Sequence, residues 1–358
     1  MPSFAFHLPP NEPHPMNVNP QLQSSIDFFR SAGYGMMVHF GLYSLLGGEW
    51  KGQWAHQYAE WIQSRYGIRN AEYEKLAQAF NPVLFNADDW VQFARDCGMK
   101  YLVVTSKHHE GFCLYHSKVD RYNSVDATPF RRDLIEELAT ACDRHGLKLG
   151  LYYSQDLDWH DPDGGGYKSR HIHCDGISWD NSWDWPDASK KDYARCYERK
   201  ILPQVEEITT QYGDLLLLWF DVPMTLNAAQ SRGIAEIVRK NQPGCLISSR
   251  IGNGIFDYVS LGDNEIPDKP LDQIRPSEDM NDICGFKPSS YGLYESACTL
   301  NDTWGFSYRD HFWKSADTIR KNREHLNSLG INYLINVGPD GLGRLPGPAM
   351  DILKAAVR

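Results

Sequence analysis

Residues 215–222, LLLLWFDV, are the most informative part of the sequence for the fold, because an unbroken apolar run leads directly into a carboxylate, Asp221. Such a run is typical of a strand that is buried on both faces. Desolvating an unpaired carboxylate is costly, so a charge at this position has to lie near water or be held by partners. We therefore expect Asp221 to lie at the carboxyl end of the strand, with its side chain facing a pocket.

Short apolar segments alternate with longer amphipathic segments along the chain, which is typical of an α/β fold. We predict strands at 34–40, 100–109, 147–154, 214–221, 245–252 and 331–338, and a weaker strand at 294–300. Helical spacing of apolar residues, often ending in glycine, marks the segments 86–98, 130–146, 192–213, 228–242 and 315–330. The alternation of strands and helices makes the sheet parallel.

A barrel and a doubly wound sheet both fit this pattern, and the polar residues favour the barrel. His39, His108 with His109, Ser154 and Asp221 all lie at strand ends, and in a barrel these ends meet at one mouth. The segment HFGLYSLLGGEW matches neither GxGxxG nor GxxxxGK[ST], so a phosphate-binding loop is missing after the first strand. We predict a (β/α)8-like TIM barrel at residues 26–358, irregular because only seven strands are legible, behind an N-terminal extension at 1–25.

Composition restricts the partners and the compartment. A formal charge of −10 over 358 residues argues against a nucleic-acid or anionic-membrane partner, and aromatic residues make up 13% of the chain, including 11 Trp. Aromatic faces in a cleft stack on sugar rings, although each Trp is equally well explained as core. The eight cysteines occur singly, as expected for reduced core residues. Without a signal-peptide pattern or an apolar span of about 18 residues, we predict a cytoplasmic protein.

A carboxylate in an aromatic cleft, without an obvious set of metal ligands, suggests glycoside hydrolysis. This reaction needs a second carboxyl group to protonate the leaving oxygen. The next polar loop, IFDYVSLGDNEIP, offers Asp257, Asp263 and Glu265. Aspartates in surface loops are more often turn residues than catalysts, so residue type alone leaves these candidates open.

Seven ordered blocks resemble the α-L-fucosidases of glycoside hydrolase family 29 and cover about residues 30–350. They are YGMMVHFGLYS, AEWIQSRY, KYLVVTSKHHEGFCLYHSK, LKLGLYYSQDLDWH, LLLLWFDV, NDTWGFSY and INYLINVGPDGLGRLP. The resemblance implies a retaining exo-α-L-fucosidase that acts on fucosylated oligosaccharides or glycoconjugates through a covalent fucosyl-enzyme. It makes Asp221 the nucleophile. The substrate-binding residues that it implies are His39, Glu60, Trp61, His108, His109, Tyr152 (or Tyr153), Trp219 and Arg250.

The acid/base is the point at which this sequence departs from the family pattern. Many members of the family carry a glutamate four residues before a proline, and the same count back from Pro267 reaches Asp263. We therefore assign Asp263 as acid/base and keep Glu265 as the second candidate. An aspartate is one methylene shorter than a glutamate, so the loop backbone has to lie closer to the scissile oxygen.

The resemblance also leads us to expect a short form without the C-terminal β-sandwich of many relatives. Such a chain is expected to cover its barrel surface by self-association. The segment 155–187 carries Trp159, Trp179, Trp183 and Trp185, and these side chains either stack on the aglycone or fix the loop.

Metal binding is the rival use of the histidines. Consecutive residues of a strand point to opposite faces, so His108 and His109 are not expected to bind one ion together. The segment HIHCD at 171–175 is a closer metal look-alike, but a solvated loop explains it better. We expect no metal and no cofactor. A metal-dependent hydrolase, a glycosidase with another sugar preference and an inactive sugar-binding homologue stay as alternatives.

Overall fold

A computed structural model describes residues 18–168, 177–269, 273 and 287–357. Ten strands lie in these ranges, namely β1 Tyr34–Val38, β2 Glu49–Trp50, β3 Gln53–Trp54, β4 Tyr101–Lys107, β5 Lys148–Tyr153, β6 Leu215–Phe220, β7 Leu246–Ile247, β8 Val259–Ser260, β9 Tyr294–Thr299 and β10 Ile331–Val337. Strands β2 and β3 form a small antiparallel hairpin. The other eight form one parallel sheet in the order β7-β6-β5-β4-β1-β10-β9-β8.

The two edges of this sheet, β7 and β8, meet and close the barrel. Ser248 and Tyr258 form a parallel bridge, and the Tyr258 carbonyl accepts a hydrogen bond of 2.9 Å from the Ser249 amide. Because these edge strands have two residues each, the closure is short and the barrel is irregular. The predicted TIM-barrel fold is thus confirmed, with β8 as the eighth strand that the sequence analysis missed.

The described helices surround the barrel or lie in its loops. The α-helices are Pro20–Ala32, Tyr43–Leu46, Ile62–Arg65, Asn70–Tyr73, Ala87–Asp96, Leu134–His145, Tyr193–Cys196, Leu202–Thr210, Ala228–Asn241, Ala316–Ser328 and Gly347–Val357. A π-helical turn spans Tyr197–Ile201, and 3-10 helices span Ala59–Trp61, Glu74–Ala79, Ala188–Lys190 and Ser249–Ile251. Polar side chains cap their amino ends, for example Asn86, Asp133, Asn227 and Ser315.

The first helix, Pro20–Ala32, fills the barrel interior at the amino ends of the strands. Its Phe29 ring packs against Tyr101 and Tyr258 of the barrel wall, with ring centroids 5.8 and 4.9 Å apart. The predicted boundary between residues 25 and 26 falls inside this helix. Because the amino end of the barrel is plugged, its carboxyl end is the open mouth, as in other barrels of this type.

A buried ion cluster stabilises the loops at one side of the mouth. Asp158 is fully buried and accepts hydrogen bonds from Lys107 at 2.9 Å and Lys200 at 2.8 Å. Lys200 lies in the π-helical turn and also pairs with Asp120 at 2.6 Å. Removing one partner from such a cluster leaves a buried charge without compensation.

Other sequence-based expectations have mixed outcomes. Within the described residues, no helix combines the length and apolar character needed to cross a bilayer. The six described cysteines are free and buried. The segment HIHCD at 171–175 lies outside the described residues.

Candidate active site

Asp221 follows β6 directly and lies at the mouth of the barrel. Its carboxylate accepts hydrogen bonds from Arg250 Nη1 at 3.0 Å and from the Tyr152 hydroxyl at 2.8 Å. Its backbone amide donates to Gln155 Oε1 at 2.9 Å. Burial raises the pKa of Asp221, whereas the positive charge of Arg250 acts in the opposite direction. The partners expected for a carboxylate at the end of an apolar strand are therefore present.

Asp263 lies on the other side of the same guanidinium. Arg250 Nη2 donates to Asp263 Oδ1 at 2.5 Å, so one arginine contacts both carboxyl groups. The Asp263 side chain is 34% exposed, whereas that of Asp221 is 12% exposed. Two carboxyl groups in unequal surroundings can take different roles, one as a proton donor and the other as an ionised group.

The other two acidic candidates have different surroundings. Glu265 turns its Oε2 to the backbone amide of Gly262 at 2.7 Å, which closes a turn. Asp257 is buried at the β7–β8 closure, where it pairs with Arg239 and accepts from the Ile247 amide at 2.7 Å. Both carboxyl groups thus stabilise local backbone structure.

Arg250 lies on the 3-10 helix Ser249–Ile251, not on a strand. The prediction of a strand over 245–252 was wrong beyond Ile247, because the chain turns into this helix where the barrel closes. The guanidinium carbon lies 4.5 Å from the ring centroid of Trp219, a cation–π contact. Nη2 also donates to the Leu261 carbonyl at 3.0 Å. These contacts fix the plane of the guanidinium between the two acids.

His39 and His108 line the pocket as neutral imidazoles. Burial lowers the pKa of His39 to about 4 and lowers that of His108 well below its usual value. Asn336 Oδ1 lies 2.8 Å from His39 Nδ1, which fixes that ring. His108 Nδ1 is buried without a hydrogen-bond partner among the described residues, and the ring stacks on Tyr152 at 5.4 Å. Neutral imidazoles both donate and accept, which suits them to sugar hydroxyls.

His109 contacts the predicted nucleophile. Its Nε2 lies 3.7 Å from Asp221 Oδ2, and its Nδ1 lies 2.7 Å from Ser154 Oγ. The expectation that His108 and His109 point to opposite faces was wrong, since their ring centroids lie 4.2 Å apart. The reason is that β4 ends at Lys107, so the alternation of a strand does not extend to these two residues.

Glu60 and Trp61 come from a 3-10 helix in the loop after β1. Glu60 is 1% exposed, and its Oε2 accepts from the Gly305 amide at 2.8 Å and the Thr303 hydroxyl at 3.2 Å. Its Oε1 has no partner among the described residues, and burial raises the pKa of Glu60 to about 7. The Trp61 ring packs edge-on against His109, with centroids 4.8 Å apart. Glu60 thus offers a buried oxygen to a ligand.

Some of the neighbouring aromatic residues line the pocket, and others pack beneath it. Tyr152, rather than Tyr153, contacts Asp221, because the Tyr153 hydroxyl donates to Gln204 at 2.8 Å on the outer side of the barrel. Trp219 is buried, and its indole N–H donates to Glu295 Oε1 at 2.9 Å. Burial raises the pKa of Glu295 to about 7. The structure therefore places the Trp219 N–H below the pocket, with its ring faces against Arg250 and Tyr152.

Sequence reasoning missed two residues of this site, Trp304 and Asn336. The Trp304 ring packs on His39 at 5.2 Å, and the Trp304 carbonyl accepts from Asn336 Nδ2 at 2.7 Å. Gly338 permits this approach, since a Cβ there would lie 2.7 Å from the Trp304 carbonyl oxygen. Asn336 is a polar residue near the end of an apolar strand, which is the same signal that identified Asp221.

The comparisons with known proteins agree with this geometry. The sequence matches the family model described as Alpha-L-fucosidase over residues 11–357. Human tissue alpha-L-fucosidase is 32% identical over 335 residues, covering 88% of this chain and 63% of the human protein. The chain thus spans less than two thirds of the length of the curated relatives that it matches first.

Solved structures give a closer match. Alpha-L-fucosidase AlfC from Lactobacillus casei, in complex with its alpha-L-fucose product, is 57% identical with a TM-score of 0.86. A mutant of AlfC in complex with Fuca(1,6)GlcNAc is 56% identical, also with a TM-score of 0.86. Both alignments cover 93% of this chain and 97% of the solved chain. This chain belongs to the alpha-L-fucosidase family.

Proposed function

We propose that the protein is a retaining exo-α-L-fucosidase that removes terminal α-L-fucose by double displacement. The observation that carries this proposal is the contact of one guanidinium with two carboxyl groups at the barrel mouth, Asp221 at 3.0 Å and Asp263 at 2.5 Å. Retaining glycosidases use two such groups roughly 5 to 5.5 Å apart.

In the first step, an Asp221 oxygen bonds to the anomeric carbon while the bond to the aglycone oxygen breaks. Asp263 transfers its proton to that departing oxygen. Asp221 thereby loses its negative charge to the ester, and Asp263 gains one. Because Arg250 contacts both side chains, its cation compensates the charge before and after this transfer. Fixed charge that needs no reorganisation is the main source of such stabilisation.

In the second step, a water oxygen bonds to the anomeric carbon and the ester bond to Asp221 breaks. Asp263 takes the proton from the water and returns to its initial state. Two inversions at the same carbon give net retention. The hydroxyl of Tyr152 lies 2.8 Å from Asp221 Oδ2 and stabilises this carboxylate each time it is released.

The fucose itself is assigned to the pocket formed by His39, Glu60, Trp61, His108 and His109. His108 Nδ1 and Glu60 Oε1 have no hydrogen-bond partner in the described part of the chain and are available to its hydroxyl groups, since a buried polar atom without a partner is otherwise costly. We propose fucose linked α1,6 to N-acetylglucosamine as one substrate. The support for this linkage is the likeness to the AlfC mutant that binds Fuca(1,6)GlcNAc.

The compartment and the assembly stay proposals of the same kind. We propose a cytoplasmic location, supported by the six described cysteines, which are all free and buried. Self-association through the barrel surface is proposed as well. Sedimentation of the purified chain at several concentrations tests it, and a monomer at all of them would contradict it.

The function is tested with 4-nitrophenyl glycosides and with Fuca(1,6)GlcNAc. We expect hydrolysis of the α-L-fucoside, weak or no hydrolysis of the β-D-galactoside, and no effect of EDTA. Proton NMR at early times should show the α-anomer of fucose as first product. Asp221→Ala should lower turnover by several orders of magnitude and leave fucose binding measurable. A β-anomer as first product, or unchanged turnover of the variant, would contradict the mechanism.

A further inference from the structure

The carboxyl group of Asp263 is carried by a tight turn. The Glu265 amide donates to the Gly262 carbonyl at 3.0 Å, and the Gly262 amide donates to the Glu265 carboxylate at 2.7 Å. Asn264, the residue after Asp263, has a left-handed backbone with φ of 58°. Asparagine tolerates this region better than most residues. The direction of the Asp263 side chain therefore depends on what holds Asn264.

Asn264 is held by the end of β9. Its backbone amide donates to the Ala297 carbonyl at 2.9 Å. Its side-chain Oδ1 accepts from the backbone amide of Thr299 at 2.9 Å and lies 3.0 Å from the Thr299 hydroxyl. Thr299 is the last residue of β9 and is buried. The barrel wall thus fixes both the backbone and the side chain of the residue next to Asp263.

Lys314 holds Thr299 from the other side. Its Nζ donates to the Thr299 carbonyl at 2.6 Å, to the Thr299 hydroxyl at 3.2 Å and to the Asn301 carbonyl at 3.4 Å. Because the Thr299 oxygen accepts from Lys314, its own hydrogen is directed to Asn264 or to Asn301. The three acceptors of this ammonium are neutral, so its hydrogen bonds orient the chain.

We propose that Thr299 and Lys314 are positioning residues that fix the acid/base Asp263 relative to the glycosidic oxygen. The inference rests on the proposed fucosidase function, in which Asp263 donates the proton. A general acid has to lie within hydrogen-bond reach of the oxygen that it protonates. An aspartate has one methylene less than a glutamate, so its reach depends more strongly on the backbone. A loosened turn therefore impairs proton transfer and leaves the fucose pocket intact.

Two substrates separate protonation from binding. Cleavage of Fuca(1,6)GlcNAc needs a proton on a poor leaving group, whereas 4-nitrophenolate departs with little help. We expect Thr299→Val and Lys314→Met to lower kcat/KM for the disaccharide by about tenfold, part of the usual contribution of a general acid. We expect kcat/KM for the nitrophenyl substrate to be unchanged. Lys314→Arg, which keeps a cationic donor, should retain most of the wild-type kcat/KM for the disaccharide.

Controls make each outcome decisive. The deciding quantity is the ratio of kcat/KM for the disaccharide to kcat/KM for the nitrophenyl substrate. Asp263→Ala should lower this ratio more strongly than the two variants do. Lys321 is an exposed lysine of the helix Ala316–Ser328, and Lys321→Met should leave the ratio unchanged. An unchanged ratio in both Thr299→Val and Lys314→Met would overturn the proposal, as would equal losses on both substrates. If Lys314→Met does not fold, Thr299→Val decides alone. A wild-type protein that cleaves neither fucoside refutes the proposed function itself, which is a separate result.

Discussion

Replacing Arg250 with methionine removes the cation between the two carboxyl groups and keeps much of the side-chain volume. Arg250 donates to Asp221 at 3.0 Å and to Asp263 at 2.5 Å. A hydrogen bond to a charged group contributes about 1.5–3 kcal/mol, so losing the two together weakens transition-state binding by about 3 kcal/mol or more. This value corresponds to a loss of about 10²-fold in kcat/KM.

The pH dependence gives a second, independent readout of Arg250→Met. Burial raises the pKa of Asp221 and the charge of Arg250 opposes this, so removing the charge raises that pKa further. Hydrolysis needs ionised Asp221, and the acid limb of kcat/KM reports the free enzyme. We therefore expect this limb to move to higher pH when hydrolysis of 4-nitrophenyl α-L-fucoside is followed across the pH range.

Arg239→Met is the matched control, because Arg239 pairs with Asp257 at the β7–β8 closure, away from both acids. It should affect thermal stability more than the pH profile. If Arg250→Met keeps kcat/KM within about threefold of the wild type, the loss is below 1 kcal/mol. Together with an unmoved acid limb, such a result would refute the role assigned to this arginine.

Three further predictions concern single side chains. Tyr152→Phe removes the hydrogen bond of 2.8 Å to Asp221, so kcat/KM should fall about tenfold and the acid limb of its pH profile should move to higher pH; a pH profile like that of the wild type would contradict this. Burial raises the pKa of Glu110 to about 7, so the folded state keeps a proton that the unfolded chain releases. This proton should make the free energy of unfolding fall by up to about 1.4 kcal/mol per pH unit between about pH 4.5 and 7, in addition to the falls caused by Glu60 and Glu295. In urea titrations Glu110→Gln should therefore reduce the slope by that amount; equal slopes in variant and wild type would be inconsistent with it. Asp158→Asn removes the carboxylate that pairs with buried Lys107 and one of the two carboxylates that pair with buried Lys200, so the protein should lose about 3–5 kcal/mol of stability. Glu206→Gln, which removes a carboxylate paired with Lys240 where both side chains are exposed, should lose less than about 1 kcal/mol, and equal losses would argue against the buried cluster.

The sequence predicted the fold because parallel strands that are buried on both faces consist of nearly continuous runs of apolar residues. The predicted segments at 214–221 and 331–338 match β6 and β10 within one residue at each end. The carboxylate after 215–220 was interpretable for the same reason, since a charge at such a position needs a mouth and partners. Tyr152 and Arg250 are those partners.

The sequence did not predict the shortest strand or the contacts between residues that are far apart in the chain. Strand β8 has two residues, Val259 and Ser260, which carry no periodicity that differs from a loop. Glu295 lies within the weak strand prediction at 294–300, but its bonds to Trp219 and Tyr101 join residues that are far apart in the sequence. The hydrogen bonds from Lys314 to Thr299 and between Thr299 and Asn264 are likewise tertiary contacts. Local patterns predict the elements, and only the closed barrel shows which polar residues meet.

The role of Asp221 as nucleophile is tested most directly by trapping the covalent intermediate. The fluorine of a 2-fluoro-fucosyl donor slows both steps, and a good leaving group keeps the first step faster than the second, so the fucosyl ester accumulates and survives proteolysis for mass spectrometry. We expect one added sugar per chain and a fragmentation series that places it on Asp221. A label on another acidic residue, or no label on an enzyme that hydrolyses fucosides, would contradict the double displacement through Asp221.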